Sequence, residues 1–251
     1  MGITNKIKET IEMLKQTDID GCITGSSMLD EDFDAWADVP DIDVFVYQPN
    51  QQLYAIDLLM FKHGFKPWSP GELWKINRIK SRGMQKSAYL STVKLMKDGV
   101  IVNISYKTGK NNMFNVLSSF DMSIIMIGYD IKKHILLDLR CGWKDMVVED
   151  CYGYWSDNPR VAVPNPLRDQ DVDMYGVEMW VRQFDRVIKY WNRGFDTRQM
   201  ARFYIDSIDR VIRDGALFAS DKSTAAYTAF VEEYGPMRDK MKAWLVGKEE
   251  C

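Results

Sequence analysis

Apolar residues at Ile3, Ile7, Ile11 and Leu14 recur at helical spacing and predict a helix over residues 3–16. Residues 20–25 (DGCITG) then read as a short buried strand closed by a glycine turn, and 27–38 are small, acidic and irregular. Residues 41–47 (DIDVFVY) are β-branched and aromatic with alternating polarity at their start, which predicts a second strand. Leu53, Ile56, Leu59 and Met60 predict a helix over 51–63. SAYLSTVKLM and VIVNISYK, from Ser87 to Lys107, predict a hairpin turned at Lys97-Asp98-Gly99. A short helical connection follows at Asn112 to Ser118. Asp121 to Tyr129 and Ile135 to Leu139 then read as another hairpin around Asp130 to Lys133.

The texture changes near residue 156. Ser156 to Leu167 concentrates three prolines without helical period and reads as a connector. Beyond it the pattern is helical, over about 172–193, 197–214 and 222–246. Asp196-Thr197 and Ser220-Asp221 are expected as N-caps, Gly194 and Gly215 as C-caps. The expectation is an α+β fold: a mixed-sheet domain over 1–155 followed by an all-helical domain over 156–251.

Composition changes this picture little. The 251 residues are 46% hydrophobic and 27% charged, with net charge -3, which excludes disordered, collagen-like and disulfide-scaffold classes. The four cysteines (Cys22, Cys141, Cys151, Cys251) show no CxxC spacing. With only His63 and His134 as histidines, a structural zinc site is not expected. No run of about 18 apolar residues predicts a membrane span, and a cytoplasmic location is expected.

The chemistry concentrates in 23-ITGSSMLDEDFDAWADVPDIDVFVY-47. Residues two apart on a strand share a face, so Asp41 and Asp43 present two carboxylates side by side. Such like charges repel, and a divalent cation relieves the repulsion. Mg²⁺ favours one or two carboxylates plus substrate phosphates. Gly25, Ser26 and Ser27 supply the glycine turn and hydroxyls that suit phosphate. A D-x-D alone favours a solvated strand start; the strand and Gly-Ser turn upstream favour metal-assisted phosphoryl or nucleotidyl transfer.

These residues resemble the DNA polymerase β-like nucleotidyltransferase superfamily, whose hallmark is a hydrophobic strand, Gly-Ser, a spacer and an acidic-hydrophobic-acidic strand. Ile23-Thr24-Gly25-Ser26 and Asp41-Ile42-Asp43-Val44 match it, with a somewhat long spacer. The FD-then-apolar pattern at 120–130 also looks like that of phage and viral members. The resemblance implies a nucleotidyltransferase-like catalytic domain and transfer of an NMP from an NTP, ATP included, to an acceptor hydroxyl. It implies that Asp41 and Asp43 hold Mg²⁺ or Mn²⁺ and that Gly25, Ser26 and Ser27 hold the triphosphate. A tRNA or other RNA end is the first expectation for the acceptor. The superfamily places a third carboxylate on a later strand, where 100-VIVNISY-106 carries Asn103 instead. Asp121 is therefore expected as the third ligand and base. Asn103 keeps open a second reading, a binding module of the same fold without catalysis.

Charge is segregated. Residues 17–43 hold nine acidic side chains and no Lys or Arg, whereas 62–110 hold eleven basic ones and only Glu72 and Asp98. Lys75, Arg78, Lys80, Arg82 and Lys86 lie beside Trp68 and Trp74, which suits phosphates and stacked bases, or a solvated basic face. Ser81-Arg82-Gly83 reads as a loop tip. In the helical half, Arg182, Arg186, Lys189 and Arg193 recur at i, i+4, i+7 and i+11, a basic stripe. It looks loosely like the helix that follows the catalytic domain in CCA-adding enzymes and bacterial poly(A) polymerases. That likeness puts Arg182 and Lys189 beside nucleotide or acceptor; the alternative is a solvated face with Asp185 pairing Lys189.

Overall fold

The computed structural model describes residues 3–29, 41–82, 90–140, 156, 158–165, 184–214 and 225–249. The expectations for Asp30 to Asp38, Lys86, Cys141, Cys151, Arg182, Gly215, the Ser220-Asp221 cap and Cys251 lie outside these residues. The chain divides into two compact units, one of Met1–Phe120 with Ile125–Arg140, the other of Asp121–Ile124 with Cys141–Cys251.

The first unit is built on a seven-stranded mixed sheet. Helix α1 (Ile3–Lys15) leads into β1 (Gly21–Thr24), which ends in a 3-10 turn, Gly25–Met28. Strand β2 (Asp41–Val46) precedes α2 (Pro49–Asp57), which continues as a π-helical turn, Leu58–Lys62. The two-residue strand β3 (Lys66–Pro67) is followed by α3 (Pro70–Arg82). Strands β4 (Leu90–Lys97) and β5 (Val100–Lys107) form the expected hairpin, and Asp98 (φ 54°) and Gly99 (φ 86°) make its two-residue turn. Both turn residues have positive φ, the geometry that matches strand twist. Helix α4 (Met113–Leu117) is capped by the Asn112 side chain, which accepts from the Asn115 N–H. Strands β6 (Ile127–Asp130) and β7 (Ile135–Asp138) complete the sheet.

The spatial order is β3-β4-β5-β2-β1-β6-β7. Among the described strands of this sheet, only β2 and β5 pair in parallel. Side-chain alternation on β2 decides what each face does. Ile42, Val44 and Val46 enter a core with Ile7, Ile11, Ile56, Leu59, Val102 and Ile104, while Asp41 and Asp43 take the opposite face.

Three sequence expectations are corrected. Residues 70–82, expected to end in a loop tip, are helical to Arg82, on a narrow buried stripe of Glu72 and Ile76 with Ile79 packed beside it. Asp121 does not begin a strand. Met122 makes a single bridge to Pro164, Ser123–Ile125 form a 3-10 turn, and regular pairing starts only at Ile127. An unbroken apolar run does not distinguish a strand from a buried turn. Third, the basic stripe is not one solvated face, as set out below.

In the second unit, α5 (Phe184–Trp191), α6 (Arg198–Asp214) and α7 (Ala225–Glu249) are the described helices. Gly194 (φ 82°) closes α5 as expected. Its N–H donates to Trp191 and that of Phe195 to Tyr190, the paired bonds of a Schellman cap. Helix α7 runs through Pro236. Among the described residues no helix is long and apolar enough to cross a membrane.

Candidate functional site

Strand register assembles the site. Asp43 lies opposite Thr24 on β1 and opposite Asn103 on β5, and the β5–β4 pairing sets Lys94 opposite Asn103. Partners in register share a face, so Lys94, Asn103, Asp43 and Thr24 form a row across four strands. Asp41, two residues before Asp43, lies on the same face.

The Asn103 amide joins the two carboxylates. Its Nδ2 donates to Asp41 Oδ2 at 3.1 Å and to Asp43 Oδ1 at 2.8 Å. Asn103 is only 6% exposed, and its Oδ1 is buried without a hydrogen-bond partner among the described residues. An unpaired buried acceptor is costly, so this arrangement carries an unmet demand at the centre of the site. The amide does what a cation would do, supplying positive hydrogens between like charges.

Gly25 closes one side. Its φ is 78°, and a Cβ there would stand 2.6 Å from Asp43 Oδ2. Glycine is thus required twice, by the left-handed backbone and by the closeness of the carboxylate. Ser26 and Ser27 follow in the buried 3-10 turn, and the Ser27 hydroxyl donates to the Thr24 carbonyl at 3.1 Å. Thr24 in turn donates its hydroxyl to the Ile127 carbonyl at 2.8 Å, tying β1 to β6 at the point where the turn begins.

These residues fit a divalent cation. Rotating the Asn103 amide by half a turn would face Oδ1 towards both carboxylates, which is favourable only with positive charge between them. Two carboxylates and a neutral oxygen, leaving positions for phosphate oxygens, suit Mg²⁺ or Mn²⁺. Among the described residues, no group of three or more His, Cys, Asp and Glu could hold a metal ion.

Asp121 belongs to the second unit. There its carboxylate receives two hydrogen bonds from Arg186 Nη1, at 3.0 and 2.8 Å. Burial is the largest single effect and disfavours the Arg186 cation, but the Asp121 charge together with Tyr190 and Tyr204 outweighs it and holds the guanidinium above its ordinary pKa. The basic stripe divides accordingly. Arg186 is paired with Asp121, and Lys189 is exposed with its ammonium 5.9 Å from the Tyr190 ring. Arg193 is 7% exposed, lying past the end of α5 with its guanidinium 5.7 Å from the same ring. The period could not reveal that α5 stops at Trp191 and that the Gly194 cap turns the chain inwards.

Sequence reasoning missed Lys94 as a neighbour of the site. Only the β4–β5 register, counted back from the Asp98-Gly99 turn, would have placed it beside Asn103.

The fold is thus of the α+β class, a mixed sheet followed by a helical C-terminal part. No family model and no curated protein matches the chain. Among solved structures, one described as a tRNA-processing enzyme (apo form I) is similar, with TM-score 0.48 and 14% identity over 93% of this chain. The match covers 57% of that enzyme, so the chain spans a little over half its length.

Proposed function

We propose that the protein is a divalent-metal-dependent nucleotidyltransferase, moving an NMP from an NTP to an acceptor hydroxyl on an RNA end. The observation that carries this reading is the cluster of Asp41, Asp43 and Asn103, with its buried amide oxygen unpartnered among the described residues, pressed against the Gly25 turn. Asp41 and Asp43 would hold Mg²⁺ or Mn²⁺, with Asn103 turning its oxygen to them. The bound cation supplies charge neutralisation at the phosphates and at the acceptor oxygen. Gly25 brings the turn's backbone beside the Asp43 carboxylate, and Ser26 and Ser27 follow where the triphosphate would lie. Asp43, gripped between Asn103 and the Gly25 turn, is held in orientation. Asp121 remains the proposed third carboxylate and base; its pairing with Arg186 would have to open for either role. Arg182 and Lys189 remain proposed contacts to nucleotide or acceptor.

One observation favours a second reading. The Asn103 amide satisfies both aspartates without any cation, as a module of this fold that binds nucleotide or RNA without turnover would need. Transfer of label from α-³²P NTPs to RNA, with Mg²⁺ or Mn²⁺, separates the two. Label on RNA with the parent and none with Asp41→Asn or Asp43→Asn is the expected result. No label from any NTP, in a folded protein that binds nucleotide, replaces the first reading by the second.

A further inference from the structure

We propose that the sheet edge formed by β3, β4 and α3 binds single-stranded RNA, along a track that runs from Lys94 through Trp68 to Trp74 and Arg78. The use of that track, to bring an acceptor strand to Asn103 and Asp43, rests on the transfer reading above; binding itself does not.

The track begins at the site. Lys94 stands opposite Asn103, one strand from that amide and two from the aspartates, and neighbouring strands are about 4.8 Å apart. Its ammonium lies 5.4 Å from the Trp68 ring, and the Trp68 backbone N–H donates to the Lys94 carbonyl at 3.0 Å. Helix α3 is fixed to the same residue. The Glu72 carboxylate, 5% exposed, accepts the Lys94 N–H at 3.0 Å and the Lys75 ammonium at 2.8 Å. Two residues beyond Glu72, Trp74 is 60% exposed, with the Arg78 guanidinium 5.2 Å from its ring. Trp68 is 49% exposed.

Two large indoles left in water beside a sheet edge are a cost that core packing does not explain. Each has a cation over the ring, which leaves ring surface open to a base and a positive charge beside it for a phosphate. The sign of the surface fits a polyanion. Residues 62–110 contain eleven basic side chains against Glu72 and Asp98, and Glu72 is buried and occupied. A duplex hides its base faces, so stacking on Trp68 and Trp74 selects unpaired strands.

The test is fluorescence anisotropy of a 5′-fluorescein 12-nucleotide RNA with the full chain, without NTP or divalent cation, at two salt concentrations. The variants are Trp74→Ala, Trp74→Phe and Lys94→Gln, each checked for an unchanged melting temperature. Trp74→Ala is expected to weaken binding about tenfold or more, with Trp74→Phe restoring most of it. Lys94→Gln should lower the slope of log affinity against log salt by about 0.7, one single-strand phosphate contact. Duplex RNA should bind at least about tenfold more weakly. No saturable binding by the folded parent, or unchanged affinity in folded Trp74→Ala, overturns the proposal and leaves this face to a protein partner. Equal affinity for DNA of the same sequence overturns the assignment to RNA. Binding without transfer refutes the transfer reading and keeps the surface. Transfer to another acceptor without RNA binding does the reverse.

Discussion

Replacing Asn103 by aspartate tests the site with almost no change of volume. The amide's two N–H bonds to Asp41 and Asp43 disappear, and a third carboxyl takes their place about 3 Å from both. If that carboxyl ionised, each neighbour would repel it by about 5 kcal/mol at an effective dielectric of 20. Staying protonated costs less. An aspartate ionises near pH 3.9, so holding the proton at pH 7 costs about 4 kcal/mol, less about 1 kcal/mol for the one O–H bond it can donate. With the amide's two lost N–H bonds at about 1 kcal/mol each, Asn103→Asp is expected to lower stability at pH 7 by roughly 5 kcal/mol, a fall of about 10–20 °C in melting temperature. The sign with pH follows from the proton. The folded group holds it above the pH at which the unfolded one releases it. The deficit therefore shrinks by about 1.4 kcal/mol per unit as pH falls towards 4. Millimolar Mg²⁺ or Mn²⁺ should reverse the loss, raising the variant's melting temperature more than the parent's. Thermal unfolding followed by circular dichroism reads all three. A variant melting within about 2 °C of the parent at pH 7 without divalent cation would show that the amide does not hold the aspartates apart, and would refute this account of the site.

Gly25→Ala should lose transfer on the order of 100-fold in the α-³²P assay, because its Cβ would stand 2.6 Å from Asp43 Oδ2 and must displace that carboxylate. Parental activity would contradict the claimed closeness. Glu72→Ala strands the Lys94 N–H and should cost roughly 2 kcal/mol in urea unfolding, against a negligible effect if α3 does not anchor there. Burial pushes the Cys22 thiol up to about 12, despite a hydrogen bond with Tyr47. Its peptide should therefore escape iodoacetamide at pH 8 until urea is added, as read by mass spectrometry. The unfolded thiol ionises near 9 while the buried one holds its proton. Stability should accordingly fall by about 1.4 kcal/mol per unit between pH 9 and 12.

Local pattern carried much of the fold. Ile42, Val44 and Val46 alternate with Asp41 and Asp43, so the strand and its acidic face were both legible. Asp98-Gly99 announced its hairpin, and Gly194 its cap. Non-local pairing was not legible. The parallel β2–β5 register brings Asn103 against Asp43 across sixty residues of sequence, and no local period encodes it. Helix α3 was obscured because its buried stripe includes a carboxylate, Glu72, whose partner, the Lys94 N–H, belongs to another element. At Asp121, an apolar run read as strand because burial alone does not set a period; the run holds a 3-10 turn. The basic stripe assumed a helix continuing through Arg193, and the Schellman cap ends it first.

The claim at the centre is that Asp41, Asp43 and Asn103 hold a divalent cation together with an NTP. Mn²⁺ titration followed by electron paramagnetic resonance tests it directly, since the signal of free Mn²⁺ falls as the ion is bound. With NTP present, the parent is predicted to take up Mn²⁺ saturably, and Asp43→Asn, folded with the parent's melting behaviour, to lose that uptake. Mn²⁺ uptake identical in the parent and in Asp43→Asn would contradict the account.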